Sequence, residues 1–206
     1  MNSLFFIKGI VIGFAIAAPV GPIGILCIKR TLIGGRLSGF FTGVGAAFAD
    51  AAYGCIGAFG LAAIANFLLG MEVWLKVIGG LFLLYLGIKT FLEKPAQDRS
   101  DVKELGYFKD FATTLLLTFT NPMTILSYMA ILAGLGIGDT RENYSSAGLL
   151  VLGVFLGSLV WWIILAEFIT LFRKKMSEKI FRYVNRTAGT IIIIFGLFSL
   201  ASSKMF

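Results

Sequence analysis

Asp50 is the one acid in an apolar run of about Leu37–Leu61. It lies about 13 residues into that run, some 20 Å along a helix at 1.5 Å per residue, which is mid-bilayer depth. A carboxylate there must be paired, hydrated or protonated, which suits a proton carrier or a partner for an ammonium group. The plainer role is a hydrogen-bonding link between helices. Gly43, Ala46, Ala47, Gly54 and Gly57 share its helical face, so Asp50 is expected to point into a helix bundle and not into lipid. Two other stretches could act with it. In Ala18-Pro19-Val20-Gly21-Pro22-Ile23-Gly24, each proline lacks an N–H and clashes one turn back, which deprives the carbonyls of Ala15 and Ala18 of partners. In Asn121-Pro122, Asn is a good N-cap and Pro fits the first helical position, so a helix is expected to restart there, freeing the carbonyl of Thr118.

The chemistry such breaks offer is specific. Helix starts present unpaired N–H groups and partial positive charge, which suit a carboxylate. Ile23 and Gly24 after Pro22, and the residues after Pro122, are placed to supply them. The freed carbonyls of Ala15, Ala18 and Thr118 suit an ammonium group or small cation. One site would then hold both ends of an amino acid. The plainer alternatives are a proline kink at Pro19 and Pro22 and a ligand-free cap at Asn121.

Other residues say less. Glu167 lies six residues before Arg173, where an ion pair with the basic loop is expected. Trp161 and Trp162 sit well inside an apolar run, as cavity lining or packing; Tyr53 and Tyr128 are possible hydroxyl donors. Cys27 and Cys55 match no zinc or CxxC spacing and read as small apolar residues. The absence of histidine removes imidazole metal sites and the usual proton shuttle, and no cofactor is expected.

The elements that must position these residues are membrane helices. The 206 residues are 58% hydrophobic and 14% charged, against about 25% charged in soluble domains, with a mean hydropathy of +0.90. Charge-free stretches at 9–28, 51–71, 111–138, 143–166 and 187–203 approach or exceed the length that spans a bilayer. Short alternating segments of the kind a β-barrel needs are lacking. The net charge of +7 sits between apolar runs, which argues against nucleic-acid binding. Charge on the wrong side of the first run, with only Lys8 before it and Lys29 and Arg30 after, argues for a retained span and not a cleaved signal.

Six spans are expected: about Leu4–Ile28, Leu37–Leu61, Val73–Leu92, Phe111–Leu135, Ala147–Phe172 and Thr187–Ser203. A polar linker covers 93–110, and Lys174–Arg186 reads as a solvated loop or an interfacial helix. Alternate loops hold fourteen of the eighteen basic residues, which places them in the cytoplasm and both termini outside. Residues 4–92 and 111–203 share broken first spans and paired glycines: Gly43 and Ala47 with Gly153 and Gly157, Gly80 and Gly87 with Gly189 and Gly196. Three spans per half would insert the second half upside down. The expected fold is thus an all-α integral membrane protein, one transmembrane domain of six helices in two inverted three-helix repeats with broken first helices. The glycine-rich faces also allow a homodimer.

The chain resembles the lysine-exporter (LysE/RhtB) superfamily of bacterial amino-acid efflux carriers. The resemblance rests on Ala18-Pro19-Val20-Gly21-Pro22, on Gly43 to Asp50 and on Thr120-Asn121-Pro122, with similar span layout along the whole chain. The family pattern usually reads Pro-Gly-Pro and Gly-Asp, where this chain has Val20 inserted and Ala49 before Asp50; Met123 replaces the basic residue usual after Asn-Pro. The resemblance implies a non-enzymatic, proton-driven exporter of a small amino acid or related solute in the bacterial inner membrane. Asp50, Pro19, Pro22, Asn121 and Pro122 would be its functional positions. Two other functions are a thiol–disulfide electron carrier, which would need closely placed accessible thiolates, and a passive pore.

Overall fold

The computed structural model describes residues 2–19, 21–59, 70–92, 105–121, 124, 127–128, 144–173 and 178–203. Among them the secondary structure is all helical: α1 (Asn2–Ala17), α2 (Pro22–Gly34), α3 (Arg36–Ala58), α4 (Glu72–Leu92), α5 (Leu105–Phe119), α6 (Tyr144–Arg173) and α7 (Glu178–Ala201).

The first apolar run breaks where its prolines require. Helix α1 makes its last hydrogen bond from the Ala18 N–H to the Phe14 carbonyl, and α2 starts with Pro22 at its first position behind an extended Gly21. Proline's fixed φ suits that position and its missing N–H costs nothing there. The chain turns by 80° between the two helices. Helix α2 ends on Gly35, whose φ of 91° only glycine takes without strain, and whose N–H closes onto the Thr31 carbonyl. Arg36 begins α3 directly, with no loop between.

Segments Val73–Leu92, Tyr144–Phe172 and Arg182–Ala201 are long and apolar enough to cross a membrane, and the bent α1–α2 pair qualifies as a fourth crossing. Helix α3, at 23 residues, is about 34 Å long at 1.5 Å per residue, but is rich in Gly and Ala. Two helices begin earlier than their apolar patterns predict. Helix α5 starts at Leu105 and not near Phe111, because Tyr107 stacks on Phe41 and Asp110 is drawn in by Arg30. Helix α7 starts at Glu178, so residues 178–186 are its first turns and neither a loop nor a separate interfacial helix. Asn185 within them is fully buried.

Small residues set how closely the helices approach. Helices α1 and α6 cross on Gly9, Gly13, Gly153 and Gly157; a Cβ at Gly13 would lie 2.1 Å from the Val154 carbonyl oxygen, and one at Gly157 2.1 Å from that of Ile10. Helices α3 and α5 meet at Gly45, where a Cβ would lie 2.4 Å from the Phe111 carbonyl oxygen. On α4 and α7, Gly80 faces Gly196 and Gly87 faces Gly189. Such contacts let backbones pack where lipid removes any hydrophobic drive for helices to associate. They also mean that the paired glycines meet other helices of the same chain, and so are taken up internally. Ile7, Val11, Ile78, Leu81, Leu116, Ile164, Ile194 and Leu197 project outward as a lipid-facing belt, while Thr31, Thr42, Thr114, Thr118 and Ser158 are buried.

Candidate functional site

The break between α1 and α2, the middle of α3 and the end of α5 surround one hollow of about 280 Å³. Pro19, Gly21, Pro22, Ile23 and Gly24 line it from the first break. Ala46 and Asp50 line it from α3, Thr118 and Asn121 from the second break, with Thr124 and Ser127 just beyond; Ile16, Ala17, Trp162 and Phe195 complete the wall. Ala15 is exposed and Ala18 half-buried, and neither lines the hollow. Pro122 lies outside the described residues.

Asp50 is 3% exposed and accepts a hydrogen bond from Ser158 Oγ at 2.6 Å. Trp162 Nε1 donates to the same Oγ at 3.1 Å. An indole N–H can only donate, which leaves the serine hydrogen free to go to the ionised carboxylate. The result is a directed chain from indole to hydroxyl to Asp50 Oδ2. It arises because α3 and α6 pack antiparallel, with Gly54 against Val154 and Gly43 against Trp162. Sequence reasoning missed Ser158; its signal was a lone hydroxyl between Ala147 and Ala166.

Two tyrosines sit beside the acid. Tyr128 is fully buried and interacts electrostatically with Asp50, yet its hydroxyl has no partner at hydrogen-bond geometry. Tyr53, its ring 5.7 Å from that of Tyr128, donates from its hydroxyl to the Phe119 carbonyl at 2.8 Å.

The second break differs in detail from its expected form. The Thr118 carbonyl is not left free: the Asn121 N–H reaches back to it at 3.2 Å in a tightened last turn. Tyr53 satisfies Phe119, so the last carbonyls of α5 are bonded within the protein. Asn121 does mark a restart, since its carbonyl accepts from the Thr124 N–H at 3.1 Å and residues 124, 127 and 128 are helical. Its side-chain Nδ2 donates to Thr124 Oγ1 at 2.9 Å. The first break keeps its donors available in kind: Ile23 and Gly24, in the opening turn of α2, line the hollow, where a helix has no acceptors of its own for its first N–H groups.

The remaining candidates separate. Trp162 lines the hollow, whereas Trp161 packs edge-on against Phe14 of α1 at 5.4 Å. Glu167 forms a half-exposed ion pair, but with Arg36 at the start of α3 and not with the basic loop after α6. Cys27 is fully buried with its Sγ directed at the Gly39 carbonyl, and Cys55 is half-buried; both are free thiols. No cluster of three or more metal-ligating side chains occurs among the described residues.

A second polar cluster, also missed, joins the far ends of α2 and α5. Arg30 Nε lies 3.0 Å from Asp110 Oδ1. The guanidinium also donates to the Asp110 carbonyl at 2.9 Å, to Thr114 Oγ1 at 2.7 Å, to Thr113 Oγ1 at 2.6 Å and to Thr42 Oγ1 at 3.2 Å. Ser38 donates to the other carboxylate oxygen of Asp110. By sequence alone Arg30 is a cation following the first apolar run and Asp110 the last residue of a polar linker; nothing local links two residues eighty apart.

Residues 14–203 match the family of LysE type translocators. The chain is 31% identical over 199 residues to the Bacillus subtilis (strain 168) protein named "Putative amino acid efflux protein YcgF", covering 94% of this chain and 93% of that one. It is 26% identical over 202 residues to the chemotactic transduction protein ChpE of Pseudomonas aeruginosa, covering 95% and 96%. To the membrane protein YahN of Escherichia coli (strain K12) it is 25% identical over 175 residues, covering 82% and 77%. No solved structure matches the chain.

Proposed function

We propose an export function from a premise that the matches establish: this chain belongs to the LysE-type translocator family, and so to a family of multi-pass membrane transporters. On our reading it carries a small amino acid or related solute out of the cytoplasm, driven by the proton gradient. The observation that carries this reading is the shared hollow. Donor-bearing backbone at the start of α2, the Asn121 break and a buried acid with one hydroxyl partner all border the same 280 Å³. The solute's carboxylate would take the N–H groups of Ile23 and Gly24, and its ammonium group would take Asp50. A proton and the ammonium would occupy Asp50 alternately, so that binding one releases the other. The name of YcgF as an amino-acid efflux protein supports this choice of solute and direction.

Alternating exposure would move parts of two inverted repeats against each other, about 4–92 and 111–203, joined by a cytoplasmic segment. The contacts support such a repeat. Gly80 and Gly87 match Gly189 and Gly196 in spacing, yet pack crosswise, as matched positions do across a two-fold axis. Helices α3 and α6 are likewise antiparallel, whereas α1 with α6 and α3 with α5 form a pair of equivalent parallel contacts. In this arrangement both termini face outside the inner membrane and the basic loops face the cytoplasm.

The test is uptake into everted membrane vesicles under an imposed proton gradient. Asp50→Asn keeps the side-chain volume and removes the exchangeable charge. Gradient-driven uptake should fall to background while the yield and thermal unfolding of the purified protein stay unchanged. Uptake that remains gradient-driven in this variant would remove Asp50 from the coupling.

A further inference from the structure

We infer that the hollow selects amino acids with uncharged, apolar side chains, of about the bulk of leucine or phenylalanine. This rests on the amino-acid export reading and narrows it. Asp50 is the one ionisable group on the wall of the hollow among the described residues, and one carboxylate balances one ammonium, the one every amino acid carries. A lysine or arginine would bring a second cation with no acid to meet it. A glutamate would bring a second anion with no base. The chain outside the described residues does not change this beside the second break, because residues 111–138 contain no Asp, Glu, Lys or Arg. An unmatched charge taken from water into such a site is strongly disfavoured.

Thr118, Asn121, Thr124 and Ser127 give the second-break side of the wall a neutral polar edge, and the opposite side is hydrocarbon. Ile16, Ile23, Ala46, Trp162 and Phe195 face the space left once Asp50 and the α2 start are engaged. The Trp162 N–H is consumed by Ser158, so the indole offers the solute its apolar surface and no free donor. A volume of 280 Å³ corresponds to roughly nine waters at about 30 Å³ each, room for one amino acid with a medium or large side chain. The apolar side of the wall discriminates only modestly against an added hydroxyl, and the polar edge at the second break can meet one, so threonine should be accepted below leucine and not excluded.

The experiment is exchange in proteoliposomes holding the purified full chain, run separately with tritiated leucine and tritiated lysine, and with unlabelled leucine, phenylalanine, threonine, lysine and glutamate as competitors. Leucine should exchange and lysine should not. Leucine and phenylalanine should compete at concentrations at least a hundredfold below lysine and glutamate, with threonine between. Phe195→Ala should weaken leucine competition about tenfold or more, and Ala46→Leu should penalise phenylalanine more than leucine. Lysine or glutamate competing as well as leucine would overturn the selectivity and leave the export reading standing. So would a Phe195→Ala protein with unchanged leucine competition. Exchange of no amino acid by protein that unfolds cooperatively would overturn both.

Discussion

Among the described residues, Asp50 and Asp110 are the two acids drawn into the helix bundle, and they are provided for in opposite ways. Asp110 has a guanidinium on one oxygen and a serine on the other, while its own carbonyl accepts from the same arginine. Asp50 has one serine, and its tyrosine neighbour stops short of a hydrogen bond. Asp110 is surrounded by three helices and borders no part of the hollow; Asp50 opens into it. A charge whose partners are all supplied by the chain has nothing left to offer a solute. A charge left under-provided must take its partner from outside, or take a proton. The bundle therefore holds one such side chain fully partnered between α2, α3 and α5, and sets the other on the wall of the hollow, where the proposed export reading places cargo.

The largest effect expected from this contrast is at the clamp. Arg30→Ala strands the Asp110 carboxylate in a largely buried position and should destabilise the protein by about 3–5 kcal/mol, read from thermal unfolding in detergent. The double replacement Arg30→Leu, Asp110→Leu should regain most of that, because it removes both charges together. A parent-like unfolding temperature for Arg30→Ala would break the comparison from the clamp side. Next in size, Ser158→Ala deletes the serine hydrogen bond to Asp50 and should cost about 1–3 kcal/mol, together with weaker apparent solute affinity in vesicle uptake. An unchanged affinity would mean that Ser158 does not position the acid for cargo. The smallest effect belongs to the third pair. Arg36 and Glu167 are 67% and 43% exposed, so Arg36→Ala should change stability by less than about 1 kcal/mol, with that little further reduced by salt.

What could be read from the sequence was what depends on neighbours along the chain. Pro22 breaks a helix by its own ring, so the α1–α2 break and its donors were legible from five residues. Asp50 stood out because a lone acid in an apolar run has few alternatives. The starts of α5 and α7 were not legible, since charged first turns look like linker until Tyr107 and Asp110 find partners on other helices. Thr118 was misread for a related reason: proline's effect on its carbonyl is local, but a tightened turn from Asn121 answers it, and Tyr53 from a distant helix answers the next carbonyl. Ser158 and Arg30 carry no local mark at all. Their roles exist only once α3 lies against α6 and α2 against α5.

The glycine seams leave a mechanical signature. Where α1 meets α6 and α3 meets α5, main chain is dovetailed into main chain, with no side chains between to absorb a shift. On the proposed export cycle, a working stroke would then fall on a boundary sewn by side chains, such as that between α3 and α6. The Asp50–Ser158 bond stitches across it, so on the proposed reading a solute or proton at that acid would also loosen or tighten the rods on either side.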